Sequence, residues 1–197
     1  LKYYNFPQYI LKQKLRKNYE KSDDEREKII KASRVILKNS KKAIYALHRD
    51  NSKKANELLE SANDGIKKIK KTATPKLLQL GSFQEAQEEF AEASFYYAFV
   101  NAKKMPSPKE LEVNDEAYLG GVCDLVGELV RTAINASINE EYKKTLQIKN
   151  FVALIYEEML MFDFRNSPLR RKFDAIKYGL DKLEDLILDL KLKGKLK

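Results

Sequence analysis

This chain of 197 residues has one cysteine, one histidine, no tryptophan, seven glycines and five prolines. A lone thiol, Cys123, excludes an intrachain disulfide and any zinc site built from several thiolates of one chain. It lies in the apolar run Gly-Gly-Val-Cys-Asp-Leu-Val, where a small buried hydrophobe is the expected role. A lone imidazole, His48, argues against a multi-histidine metal site or a histidine pair for acid–base work. A ferritin-like di-iron bundle needs Glu-x-x-His on two helices and is set aside on the same ground. No run of about 18 apolar residues is present to span a bilayer. No alternating strand pattern, internal repeat or low-complexity segment is found. From Leu1 onward there is no basic, apolar and small-residue leader pattern, so the expectation is a cytoplasmic, reducing setting.

What is there favours helix. Hydrophobic residues make up 43% and charged residues 34%, which suits neither a disordered chain nor a membrane protein. Lys, Glu, Leu and Ala dominate long stretches. The expected fold is all-α, with residues 1–197 forming one helical domain. The net charge of +9 suits a polyanion, either nucleic acid or an anionic surface, or it simply solvates long helices.

Punctuation and periodicity predict seven helices. The first runs from about Pro7 to Lys21, and the capping box Ser22-Asp23-Asp24-Glu25 starts a second that reaches His48. The third covers about Ser52 to Lys71. Thr72 to Ser82, with Pro75 and Gly81, reads as a connector with one helical turn. The fourth runs from Phe83 to Lys103 and is ended by Pro106 and Pro108. The fifth, capped by Asn114 or Asp115, covers Glu116 to Ser137. The sixth covers Glu140 to Phe162, with a break near Leu146. Asn166-Ser167-Pro168 starts the last, which stops near Gly194.

The fifth predicted helix carries the chemistry. From Tyr118 to Ile138 only Asp124, Glu128 and Arg131 are charged, three of 21 residues, so protein should enclose most of it. With Asn135 they stand at i, i+4, i+7 and i+11, one polar stripe on an apolar rod. Gly120, Gly121 and Gly127 weaken this helix, which suggests close approach of a backbone or ligand. The fourth predicted helix offers Glu85, Glu88, Glu89 and Glu92. If the two helices pack, Glu89, Glu92, Asp124 and Glu128 could converge, and four carboxylates need positive charge among them. Mg²⁺ or Mn²⁺ suits such an oxygen-only set and could activate water for in-line attack at phosphorus, leaving a 5′-phosphate and a 3′-hydroxyl. The bland alternative is an Asp124/Glu128/Arg131 ion-pair network that locks two helices.

Basic residues gather as Lys67, Lys68, Lys70, Lys71 and Lys76, and again as Arg165, Arg170, Arg171 and Lys172. Both groups could neutralise phosphates without reading sequence. Tyr3, Tyr4, Phe6, Tyr9, Tyr96 and Tyr97 are either stacking surfaces for single strands or ordinary core.

The run Tyr118 to Arg131 (YLGGVCDLVGELVR), continued by Ala133-Ile134-Asn135, resembles the central helix of the translin family. The C-terminal run from Leu169-Arg170-Arg171-Lys172-Phe173-Asp174 to Gly194 resembles it too, so the strong likeness covers about Val113 to Gly194. The resemblance implies a seven-helix bundle assembled into closed, barrel-like octamers with acidic sites facing an interior cavity. Subunits like translin-associated factor X carry Glu-x-x-Glu on one helix and Asp-x-x-x-Glu on the next, coordinating the metal for ribonuclease activity. Glu89-Phe90-Ala91-Glu92 and Asp124-Leu125-Val126-Gly127-Glu128 match that pattern, with Glu88 competing for the place of Glu89. Lys67, Lys68, Lys70, Lys71, Arg131, Arg170, Arg171 and Lys172 are then the expected RNA contacts. The expectation is a Mg²⁺/Mn²⁺-dependent endoribonuclease on single-stranded RNA, as a homo-oligomer or beside a related translin-type subunit. The alternative is an oligomeric single-stranded RNA or DNA binder without chemistry.

Overall fold

The computed structural model describes residues 11–196, opening with one π-helical turn at Leu11–Leu15 that runs straight into α1. The helices are α1 (Arg16–Leu47), α2 (Ser52–Thr72), α3 (Pro75–Leu78), α4 (Gly81–Val100), α5 (Pro108–Leu111), α6 (Asp115–Ile138), α7 (Tyr142–Met159) and α8 (Pro168–Leu192). Among the described residues there is no strand, and the all-α expectation holds. Tyr3, Tyr4, Phe6, Tyr9 and the start of the first predicted helix lie outside them.

The count of seven does not hold as drawn. Six long helices are joined by two single turns, α3 and α5. The first two predicted helices are one rod through Ser22, which is an exposed interior position of α1. Ser-x-x-Glu starts a helix only where the preceding chain stops one, and no Gly or Pro stands between Arg16 and Ser22. Nor does α7 break at Leu146. Elsewhere the caps expected at Asn114 and Ser167 form, and Asn51 supplies one that was not expected. Asn51 Oδ1 accepts from Lys54 N at 3.0 Å, Asn114 Oδ1 from Ala117 N at 2.9 Å, and Ser167 Oγ from Arg170 N at 3.2 Å.

The outer helices each bury one narrow seam. On α1 it is Ile29, Ser33, Ile36, Ser40, Ala43 and Leu47, on α2 Ala55, Leu59, Ala62, Ile66 and Ile69, and on α7 Thr145, Ile148, Val152, Ile155 and Met159. Steps alternating between three and four residues keep one face inward. The buried hydroxyls of Ser33 and Ser40 donate to the carbonyls four residues earlier, at 2.8 and 3.0 Å, so they cost little. In contrast, α4 is buried on nearly every side from Phe90 to Tyr96.

Its neighbours explain why. α4 packs against α1, α2 and α6, while α6 packs against α4, α7 and α8. The molecule is therefore two three-helix groups sharing one seam, α4 against α6, with a continuous core through both. Two glycines set how close that seam is. A β-carbon at Gly121 would stand 2.8 Å from the Glu92 backbone nitrogen and 2.8 Å from the Ala91 β-carbon, and one at Gly120 would fall on the Glu88 carboxylate. Gly127 does not share this role, because nothing lies within 4 Å of its absent side chain. No helix of the described residues is long and apolar enough to cross a membrane.

Substituting these glycines should therefore act in opposite directions. Gly121→Ala should lower unfolding free energy by about 1–3 kcal/mol through overpacking against α4 backbone. Gly127→Ala should raise it by up to about 1 kcal/mol through helix propensity. Denaturant midpoints measure both, and a neutral Gly121→Ala would contradict the close seam.

Candidate functional site

Helical spacing brings three rows of side chains to one groove. On α4, Glu85, Glu89, Glu92 and Tyr96 stand at i, i+4, i+7 and i+11. On α6 the row is Asp124, Glu128 and Thr132, each four residues apart. On α1, Lys41 and His48 are two turns apart and meet the carboxylates from the third side. Lys172 closes one end from α8.

The carboxylates are partnered in turn along this groove. Lys172 Nζ donates to Glu88 Oε1 at 2.6 Å and also to Asp124 Oδ2. Lys41 Nζ lies 3.7 Å from Glu89 Oε2. Glu128 pairs with His48 Nε2, whose Nδ1 lies 3.1 Å from the Tyr96 hydroxyl. That hydroxyl is 2.9 Å from Thr132 Oγ1, which donates back to the Glu128 carbonyl at 2.7 Å. Glu92, only 9% exposed, stands in the middle.

The electrostatics follow from that placement. Burial, reinforced by Glu89, Asp124 and Glu128, pushes the Glu92 carboxyl up to about 8, with Lys172 opposing. Burial also raises Glu88 against the pull of Lys172, and Glu89 against that of Lys41. Burial alone would depress Lys172, but its hydrogen bonds to Asp124 and Glu88 outweigh that and hold the ammonium above the ordinary lysine value. Cys123 behaves as expected: burial, helped by Asp124, pushes its thiol up to about 12, so it is an inert core residue.

All four expected ligands, Glu89, Glu92, Asp124 and Glu128, therefore reach the α4/α6 seam and act on one another's charge. As the side chains stand, no three acidic, histidine or cysteine groups among the described residues are gathered tightly enough to hold a metal ion. The donor chemistry nonetheless fits a hard divalent cation, being all carboxylate oxygen with an unmet demand for positive charge at Glu92.

Several expectations need correction. Arg131 does not neutralise Asp124 or Glu128. It is exposed on α6, and no ion pair holds it among the described residues. The polar stripe is only partly enclosed, with side-chain exposures of 31% at Asp124 and 21% at Glu128, and with Asn135 exposed. Lys172 is not a free phosphate contact but an internal partner of the acidic cluster. Arg171 lines a cleft beside Asp124 and Lys172, whereas Arg170 pairs with Asp174 at 2.9 Å. Lys67 lies 3.8 Å from Glu112 and Lys70 donates to the Glu112 carbonyl, leaving Lys68 and Lys71 exposed on the same helix end. Tyr96 is buried against His48 and offers no stacking face, while Tyr97 lies under Lys103 at 4.7 Å. Reading the sequence missed His48, Lys41 and Thr132 as parts of the site. Only Thr132, four residues beyond Glu128, had a local signal.

Because Glu92 titrates near 8 in the folded state against an ordinary 4.5, the native protein holds its proton more tightly than the unfolded chain between those values. Its contribution to stability is complete below about pH 4.5 and is lost as the pH rises toward about 8. Thermal melts in EDTA should show the midpoint falling across that range, and Glu92→Gln should remove much of the fall. An unchanged slope would mean that Glu92 is not in this environment.

The sequence profile of the Translin family matches this chain over residues 24–112 and 73–194. An uncharacterised protein of Methanocaldococcus jannaschii is 32% identical over 184 residues, covering 89% of this chain and 82% of that protein. Translin-associated protein X of Rattus norvegicus is 25% identical over 215 residues, covering 87% of this chain and 74% of the other. Among solved structures, AfC3PO in complex with duplex RNA superposes with a TM-score of 0.79 at 25% identity, covering 92% of this chain and 96% of that one.

Proposed function

The chain belongs to the translin family, and on that premise we propose that it is a metal-dependent endoribonuclease whose reacting phosphodiester lies over the α4/α6 carboxylates. The observation that carries this reading is Glu92, buried, without an ion pair among the described residues and ringed by Glu89, Asp124 and Glu128. A seam designed only to hold two helices together gains nothing from a fourth acid at its centre. Likeness to translin-associated protein X and to a structure complexed with duplex RNA supports RNA as the polymer. Single-stranded RNA remains the proposed substrate of cleavage, and single-stranded DNA a further ligand.

Glu89, Glu92, Asp124 and Glu128 would hold Mg²⁺ or Mn²⁺, with Glu88, paired with Lys172, as the alternative to Glu89. A divalent ion bound there supplies Lewis-acid polarisation and a more acidic water. The chain's own contribution is positioning. His48, fixed by Tyr96 and Thr132, holds the Glu128 carboxylate in one orientation. Lys172 and Arg171 stand on the side from which a phosphate would approach Asp124. Arg131, Lys68, Lys71 and Arg170 serve as outlying phosphate contacts. An oligomer, as homo-octamer or with a second translin-type subunit, would enclose the groove and restrict it to flexible strands.

A second reading is an RNA-coating assembly without chemistry. The double ion pair of Lys172 favours it, because that ammonium already bridges Glu88 and Asp124.

Cleavage assays separate the two. On the first reading, EDTA stops cleavage and Mn²⁺ or Mg²⁺ restores it. Glu92→Gln and Asp124→Asn each lower the rate by roughly 100-fold or more while RNA affinity is retained. A protein that binds RNA tightly but yields no products with either metal would leave only the second.

The basic surface has its own test. RNA affinity should fall steeply with salt, and the double variant Lys68→Glu, Lys71→Glu should flatten the log–log slope by about one to two units. An unchanged slope would remove the α2 end from the interface.

A further inference from the structure

Beyond the His48 end of the acidic groove the α6 row continues into a cleft of about 620 Å³, between the ends of α1 and α4 and the start of α7. We propose that this cleft is a nucleobase subsite, taking the base of a nucleotide next to the phosphodiester held over the carboxylates. The proposal rests on the nuclease reading for its register and adds a ligand class to it.

The size lies within the roughly 300–1,000 Å³ typical of small-molecule sites. The chemistry of the walls selects what fits. Phe99, Val100 and Ile138 provide the accessible apolar surface, and Phe99 is itself stacked on Phe151 at a centroid distance of 5.7 Å and 14° between planes. Asn135 on α6, Asn139 capping its end and Gln147 on α7 stand around this floor, all three exposed. A carboxamide offers a donor and an acceptor in one plane, the complement of a base edge, and an apolar or aromatic floor serves a base face. A phosphate is the wrong occupant. Asp50 and Glu141 are acidic, and the cleft's lysine, Lys144, is already paired with Glu141 at 2.8 Å. A planar, neutral, hydrogen-bonding group is what remains.

Continuity with the site supplies the register. His48, Tyr96 and Thr132 form the shared wall: their polar atoms close the ring around Glu128 on one side, and the same residues line the cleft on the other. Asn135 is two turns beyond Glu128, about 10 Å along the helix, so a strand passing over the carboxylates reaches the cleft with a neighbouring nucleotide.

Saturation-transfer NMR and calorimetry on the assembled protein, with Mn²⁺ omitted and then added, test this with adenosine 5′-monophosphate and ribose 5-phosphate as probes. The nucleotide should bind about tenfold tighter than the sugar phosphate, with its base protons closest to the protein. The double variant Asn135→Ala, Gln147→Ala should erase that difference while Mn²⁺ affinity stays unchanged. Equal binding of the two probes, or a difference that survives the double variant, overturns the subsite. The nuclease reading fails separately: RNA left intact with a base preference still present would keep the subsite and remove the chemistry. RNA cut by a protein that does not distinguish the two probes would do the reverse.

Discussion

Acidic side chains on facing helices can share a seam only if positive charge reaches them, and the rest of this molecule is arranged around that requirement. α4 and α6 come close because Gly120 and Gly121 carry no side chain toward Glu88 and the backbone of α4. That closeness puts Glu89 and Glu92 opposite Asp124 and Glu128, where repulsion would open the seam if it were left unanswered. The answers come from outside the pair: Lys41 on α1 and Lys172 on α8 bring charge, and His48, which caps the end of α1, pairs with Glu128 through Nε2. Each three-helix group thus lends charge to the shared seam. Fold and site are one construction.

Much of this was legible along the chain because helices are local objects. Seams stepping by three and four and the caps at Asn114 and Ser167 all act within a few residues of one another. Pro106 and Pro108 are not the stop expected of them: α4 ends earlier, at Val100, and Pro108 opens α5. The four acids were legible for the same reason: Glu-x-x-Glu and Asp-x-x-x-Glu each fix a helical face without reference to the rest of the fold. Failures came where a local signal was degenerate or the partner was distant. Ser22 has the composition of a cap but nothing before it ends a helix. Gly127 sits in the same glycine-rich stretch as Gly120 and Gly121 yet faces open space.

The error over charge partners is the instructive one. Arg131 is three residues from Glu128 and is the obvious counter-ion on spacing, but it is exposed and no ion pair among the described residues joins it to either acid. The groups that do bond these acids lie 80 residues from Glu128, in the case of His48, and 48 from Asp124, in the case of Lys172. Their choice is set by which helices pack on α4 and α6, and that is a property of the assembled bundle. A basic cluster read as a uniform phosphate surface therefore divides in three dimensions. Lys172 turns inward, Arg170 pairs along its own helix, and Arg171 stays beside the groove.

Charge counting then bears on what the groove is for. Of the five acids Glu88, Glu89, Glu92, Asp124 and Glu128, four have a partner in Lys172, Lys41 or His48, and Glu92 has no ion pair among the described residues. Burial pushes the Glu92 carboxyl up to about 8, so it holds its proton at neutral pH. A bundle selected for stability alone would more cheaply have replaced Glu92 with an apolar side chain, since buried ion networks are weak stabilisers and an unpaired buried acid is a cost. The groove instead keeps an acid whose ionisation waits on added positive charge. Binding a cation would release the Glu92 proton, so affinity for the ion and loss of that proton are coupled. A cation bound to the folded chain would, by the same coupling, add to its stability.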